Sequence, residues 1–129
     1  MPDEATNDRA REAAAQLESI HELVRAYDDA RLQGRDEREA LTAIQEDPLS
    51  IQVRSTWEQP GGSRDPAEYR ILLSWGGPAS RIVGELANGE PMTASLEYQD
   101  WFMPWEPLHL SNADAEALLE YARCFYFGD

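Results

Sequence analysis

At Asp47-Pro48 the chain changes its hydrophobic period, and this one break constrains the fold more than any other feature. Before it, Ala13, Leu17, Ile20, Val24 and Tyr27 recur at steps of three and four, the spacing that puts them on one stripe of a helix. That pattern predicts an amphipathic helix over about residues 8–32, interrupted by Gly34. A second, shorter helix is expected over about 36–46, with Ala40, Leu41 and Ile44 as its apolar face. Pro48 disfavours the helical region for Asp47 and ends it. Beyond the break Leu49, Ile51, Val53 and Trp57 alternate with Ser50, Gln52, Arg54 and Thr56, the signature of a half-buried strand.

The period of two continues. A loop by composition, Gln59 to Pro66, leads to a strand over about 68–75, and Gly76-Gly77-Pro78 turns the chain into another over about 79–86. Asn88-Gly89 is a hairpin signal, because both residues accept positive φ. A fourth strand is expected over about 92–102, then a proline-interrupted connection from Met103 to Leu110. Ser111 or Asn112 is placed to cap a last helix, with Asp114 near its positive end and Leu118, Leu119, Ala122 and Phe125 inward. Short links between consecutive strands favour antiparallel pairing. The expected fold is therefore α+β, with two N-terminal helices, a four-stranded antiparallel sheet, and a C-terminal helix packed on the sheet. It forms one domain over 1–129, helical over 1–47 and sheet plus helix over 48–129. With 129 residues, 42% of them hydrophobic, the chain can bury an ordinary core.

Charge limits the partners. Against 25 acids stand 11 basic residues, every one of them Arg, for a net −14. Such a surface disfavours direct contact with nucleic acid and with anionic membranes, since both are negative. The lone Cys124 excludes an internal disulfide framework and a multi-cysteine metal site. No apolar run approaches the roughly 20 residues that cross a bilayer, and the acidic start (Met1-Pro2-Asp3-Glu4) is unlike a signal peptide. A soluble intracellular protein is expected.

Motifs for chemistry are sparse. The sequence has no glycine-rich phosphate loop, no histidine pair at metal spacing and no nucleophile elbow. His21 falls at the edge of the first apolar stripe, and His109 lies between prolines and a helix start. Cys124 sits in an aromatic segment with Tyr121, Phe125, Tyr126 and Phe127, where a cysteine acts as a small core residue. Glu97 and Asp100 resemble paired acids beside Trp101, but three positions apart on a strand they point to opposite faces. Trp101, Phe102, Met103 and Trp105 form either a stacking patch or part of the core. The expectation is no catalytic residue, no metal and no cofactor.

The acids themselves carry more information. Glu4, Asp8, Glu12, Glu18, Glu22 and Asp29 fall opposite the apolar stripe of the first helix, diluted by Arg11 and Arg25. From Val83 onward nine acids stand against Arg123 alone, a net of −8. Seven of them, Glu85, Glu97, Asp100, Glu106, Asp114, Glu116 and Glu120, make the candidate partner-binding surface. Alternate residues on a strand lie about 6.6 Å apart, and i,i+4 neighbours on a helix about 6 Å. Both approach the repeat of phosphates along a nucleic-acid strand, so a basic groove built for phosphates is a fitting partner. The plain alternative is a solvated surface that keeps the chain soluble.

Three segments add a resemblance: Gln45 to Ser55, Leu96-Glu97-Tyr98-Gln99-Asp100-Trp101, and Tyr121 to Gly128. Over about residues 44–128 the chain resembles a family of small acidic proteins carried by bacterial phages and plasmids. Within that setting it looks like a small anti-CRISPR protein directed against a type I Cascade. The resemblance implies a noncatalytic DNA mimic, acting in the bacterial cytoplasm, that occupies a basic DNA-binding surface of the complex. An acidic interaction module of another kind, such as an anti-restriction, immunity or antitoxin protein, is the alternative.

Overall fold

The computed structural model describes residues 4–55, 57, 59–61, 66–75, 79–100 and 103–127, with side chains from residue 10 onward. Three helices lie on one face of an antiparallel sheet. The first, α1 (Glu4–Leu32), buries Ala13, Leu17, Ile20 and Val24, the stripe anticipated from spacing, with Tyr27 half-buried. A short α2 (Arg38–Glu46) follows and sinks Ile44 into the core. Its first turn is held from outside, because the Asp36 carboxylate accepts the Arg38 backbone N–H at 3.0 Å.

The sheet has six strands: β1 (Ser50–Arg54), β2 (Glu68–Ser74), β3 (Ala79–Ala87), β4 (Glu90–Pro91), β5 (Ser95–Gln99) and β6 (Glu106–Pro107). Their spatial order is β1-β2-β3-β5-β6, with β4 on the end of β3. Four strands were expected, and the difference has two causes. The segment expected as one strand over 92–102 is broken near its start. Pro91 has no N–H for a ladder, and the Thr93 hydroxyl, rather than a backbone carbonyl, accepts the Glu85 N–H at 2.9 Å. Ladder pairing resumes at Ser95. Within the expected connection, Glu106–Pro107 pairs with β5, and the Leu108 N–H reaches the Leu96 carbonyl at 2.8 Å. The Asn88-Gly89 turn forms as anticipated, with φ of 55° and 80°.

Alternation decides what faces the helices. Tyr69, Ile71 and Leu73 of β2, Ile82 and Leu86 of β3, and Leu96 and Tyr98 of β5 form the buried face. Tyr69 lies directly across from Gly84. A side chain at Gly84 would run into the Tyr69 ring and the Thr93 carbonyl, so the missing Cβ makes room for the ring. The Tyr69 hydroxyl donates to that same carbonyl at 2.6 Å.

The last helix, α3 (Asn112–Ala122), is capped by Ser111 in a reciprocal box: its hydroxyl accepts the Asp114 N–H, and the Asp114 carboxylate accepts the Ser111 N–H. Leu118 and Ala122 are inward as expected, and Phe125 packs against the core, but Tyr121 takes the fully buried place where Leu119 was anticipated. The Tyr121 hydroxyl donates to Asp47 at 2.7 Å and so ties α3 to the end of α2.

Candidate functional site

The charged side chains divide between two surfaces of different character. On the face of the sheet away from the helices, three arginines (Arg54, Arg70, Arg81) meet three glutamates (Glu68, Glu85, Glu97). Arg54 holds Glu68 through two bonds, Nε to Oε1 at 2.9 Å and Nη2 to Oε2 at 3.1 Å. Arg70 donates to the Gln52 side chain on the neighbouring strand. Arg81 and Glu97 are cross-strand partners at 2.8 Å, both largely shielded from water, and the Arg81 guanidinium stacks 4.0 Å from the centroid of Trp105. The result is a shallow depression of about 750 Å³ in which the charges cancel.

The helical layer keeps a smaller acidic surplus, because exposed Arg11, Arg25 and Arg31 of α1 and Arg38 of α2 stand among its acids. Glu18, Glu22 and Asp29 of α1, Glu39 and Glu46 of α2, and Glu116 of α3 are all exposed. The arrangement of α1 follows from its wheel: burying Ala13, Leu17, Ile20 and Val24 forces the acids opposite them into water.

The seven acids singled out from the second half of the chain are therefore spread over both surfaces. Glu85 and Glu97 sit on the open sheet face among the arginines, and Glu85 lies across from Glu68. Asp100 follows β5, and Glu106 is half-buried on β6 opposite Tyr98. Asp114, Glu116 and Glu120 belong to α3. Of the three on α3 only Glu116 is exposed. Asp114 is engaged by the cap and by His21, whose Nε2 lies 2.8 Å from its Oδ1, and the His21 contact chiefly holds its carboxyl below the usual range. Glu120 faces α1. Burial, then a hydrogen bond with Asp28 and the charge of Asp28, raise its pKa to about 7, with Arg31 opposing. At neutral pH it carries only part of a charge.

Residues weighed for chemistry fall into structural places. His21 joins α1 to the start of α3, and His109 is exposed in the link before α3. The Cys124 thiol is pushed up to about 11 by burial and by the charges of Glu120 and Asp28, away from the thiolate a nucleophile needs. Trp105 is the stacking residue on Arg81, whereas Trp101 and Phe102 lie outside the described residues. Among the described residues no group of three or more His, Cys, Asp or Glu is placed to hold a metal, and no helix is long and apolar enough to cross a membrane.

A charge sum along the chain does not reveal the arginine face, because its arginines and glutamates come from different segments. The signal is present in the alternation: Arg70 stands between Tyr69 and Ile71, Arg54 follows Val53 and Arg81 precedes Ile82, so each points away from the apolar face of its strand. No family model, curated protein or solved structure matches the chain.

Proposed function

We propose that this chain is a noncatalytic acidic inhibitor that occupies a basic DNA-binding surface of a nucleic-acid-binding complex and blocks DNA from it. The target class is that implied by the resemblance, a type I CRISPR Cascade. The observation that carries the reading is the segregation of charge. The open sheet face is neutral, whereas the described helices expose six acids against four arginines and α3 carries acids alone, so part of the surplus behind the net −14 lies there. Acids on helices recur at one-turn spacing on a backbone already ordered by the packed core, so only their side chains need ordering against a basic groove. Masking a few phosphate-binding arginines and lysines removes much of the affinity for DNA. Exposed acids able to meet a partner lie on the helices. Reversing Glu97 or Asp114 would break an internal pair, and reversing Glu120 would place a cation beside Asp28.

The decisive experiment measures target-DNA binding to purified Cascade by fluorescence anisotropy with increasing amounts of the protein. Wild type should raise the apparent Kd for DNA in proportion to its concentration. The triple variant Glu18→Arg, Glu22→Arg, Glu116→Arg should lose about tenfold or more in inhibition while keeping its circular dichroism, because exposed charges add little to stability. Arg70→Gln on the sheet face should act as wild type. A ternary complex with unchanged DNA affinity would exclude mimicry. Capture of a toxin or a restriction enzyme in place of Cascade would select the immunity or anti-restriction alternative.

A further inference from the structure

The two edges of the sheet are built differently. β6 closes one edge with two residues, one of them Pro107, which has no N–H to offer a further strand. β1 forms the other edge with five residues and no proline, and pairs only with β2 among the described strands. Natural sheets blunt such an edge with charge, proline or a bulge that twists it away. Here the opposite holds. From Pro48 to Trp57 the chain has no acid at all, in a protein of net −14, and its single charge, Arg54, is held in two bonds by Glu68. The same stretch exposes Leu49 (60%), Val53 (43%) and Trp57 (102%).

From these features we infer that β1 is a self-association edge, where a second copy of this chain adds its own β1 in antiparallel register to make one continuous sheet. The occupant is specified by the pattern of the strand. A two-fold axis through Gln52 places Ile51 opposite Val53 of the second copy and Val53 opposite its Ile51, on the face that continues the core. Gln52 meets Gln52, and Ser50 meets Arg54. Apolar residues are matched with apolar ones, and no like charges are opposed. A strand from a DNA-binding target would not need this symmetry. The edge also carries no acid of its own, so two strongly anionic copies can approach there. The inference is independent of the proposed Cascade target, because it concerns the chain alone.

Charge gives the association a distinctive salt response. Elsewhere the two copies repel, and salt screens that repulsion. Self-association should strengthen with salt, whereas binding to a basic partner weakens.

Sedimentation velocity on the full chain tests this over about 1 μM to 1 mM in about 50 and 500 mM sodium chloride. The mass should rise from 14.6 kDa to twice that value with concentration, and at lower concentration in the higher salt. Val53→Glu sets a carboxylate into the apolar row of the second copy and should weaken association about tenfold or more. Val53→Thr should retain it. Hydrogen exchange on the wild type supplies a readout free of any folding defect: amides within 50–54 should gain protection as concentration rises. A monomer throughout both series overturns the inference. So does a dimer in which Val53→Glu associates as wild type, or one whose new protection lies outside β1.

Discussion

Glu120→Gln should stabilise the protein at pH 8 and leave its stability near pH 4.5 unchanged. In the folded chain the Glu120 carboxyl is lifted from 4.5 to about 7, first by burial, then by its hydrogen bond with Asp28 and by the Asp28 charge. A carboxyl whose folded pKa lies above its unfolded one binds extra proton in the native state between the two values. Its contribution is therefore complete below about pH 4.5, declines as pH rises through the window, and is lost above about 7. Fully buried, a gap of this size corresponds to roughly 3 kcal/mol at 1.36 kcal/mol per unit. Because the side chain keeps partial contact with water, about 1–2 kcal/mol is the figure to expect. Glutamine resembles the protonated acid at every pH, since its amide N–H can still donate to Asp28. Urea unfolding followed by far-ultraviolet circular dichroism at pH 4.5, 6, 7 and 8 reads the difference directly. The His21–Asp114 contact also lies between α1 and α3, but it is present in both proteins and cancels in the subtraction. A difference between variant and wild type that stays constant from pH 4.5 to 8 would refute the reasoning, as would a less stable variant at pH 8.

Other expectations rest on single contacts. Gly84→Ala drives a methyl group into the Tyr69 ring and the Thr93 carbonyl, and should lower stability by about 1–3 kcal/mol in the same urea assay. Ser111→Ala removes the hydroxyl half of the α3 capping box and should cost about 1 kcal/mol, with hydrogen exchange fastest at the first turn of α3. Tyr121→Phe leaves Asp47 without its hydroxyl donor and should cost about 1 kcal/mol at pH 7. His109→Ala and Cys124→Ser, if folded, should inhibit DNA binding as wild type; a folded variant that binds its target yet no longer inhibits would argue for chemistry at that position.

Local information was enough for much of this molecule. Helical spacing from Ala13 to Val24, alternation over β1 to β3, the Asn88-Gly89 turn and the Ser111 cap all act within a few residues, and each produced the expected element; α2 also ends at Glu46 ahead of Pro48, although Asp47 itself keeps helical backbone angles. The face that an alternating strand buries is likewise set by its own side chains, which is why Tyr69, Ile71, Ile82 and Leu96 were bound to point one way. Tertiary contacts decided the rest. Whether residues 92–102 stay one strand depends on what the Thr93 hydroxyl and carbonyl meet across the sheet, and whether Glu106–Pro107 joins it depends on the reach of β5. The use of the acids is of the same kind. Summed along the chain, Glu97, Asp114 and Glu120 are equivalent negative charges; folding gives the first to Arg81, the second to His21 and a helix cap, and the third to a shared proton with Asp28. Charge is a property of a residue, but its availability depends on neighbours that only the packed chain brings within a few ångströms.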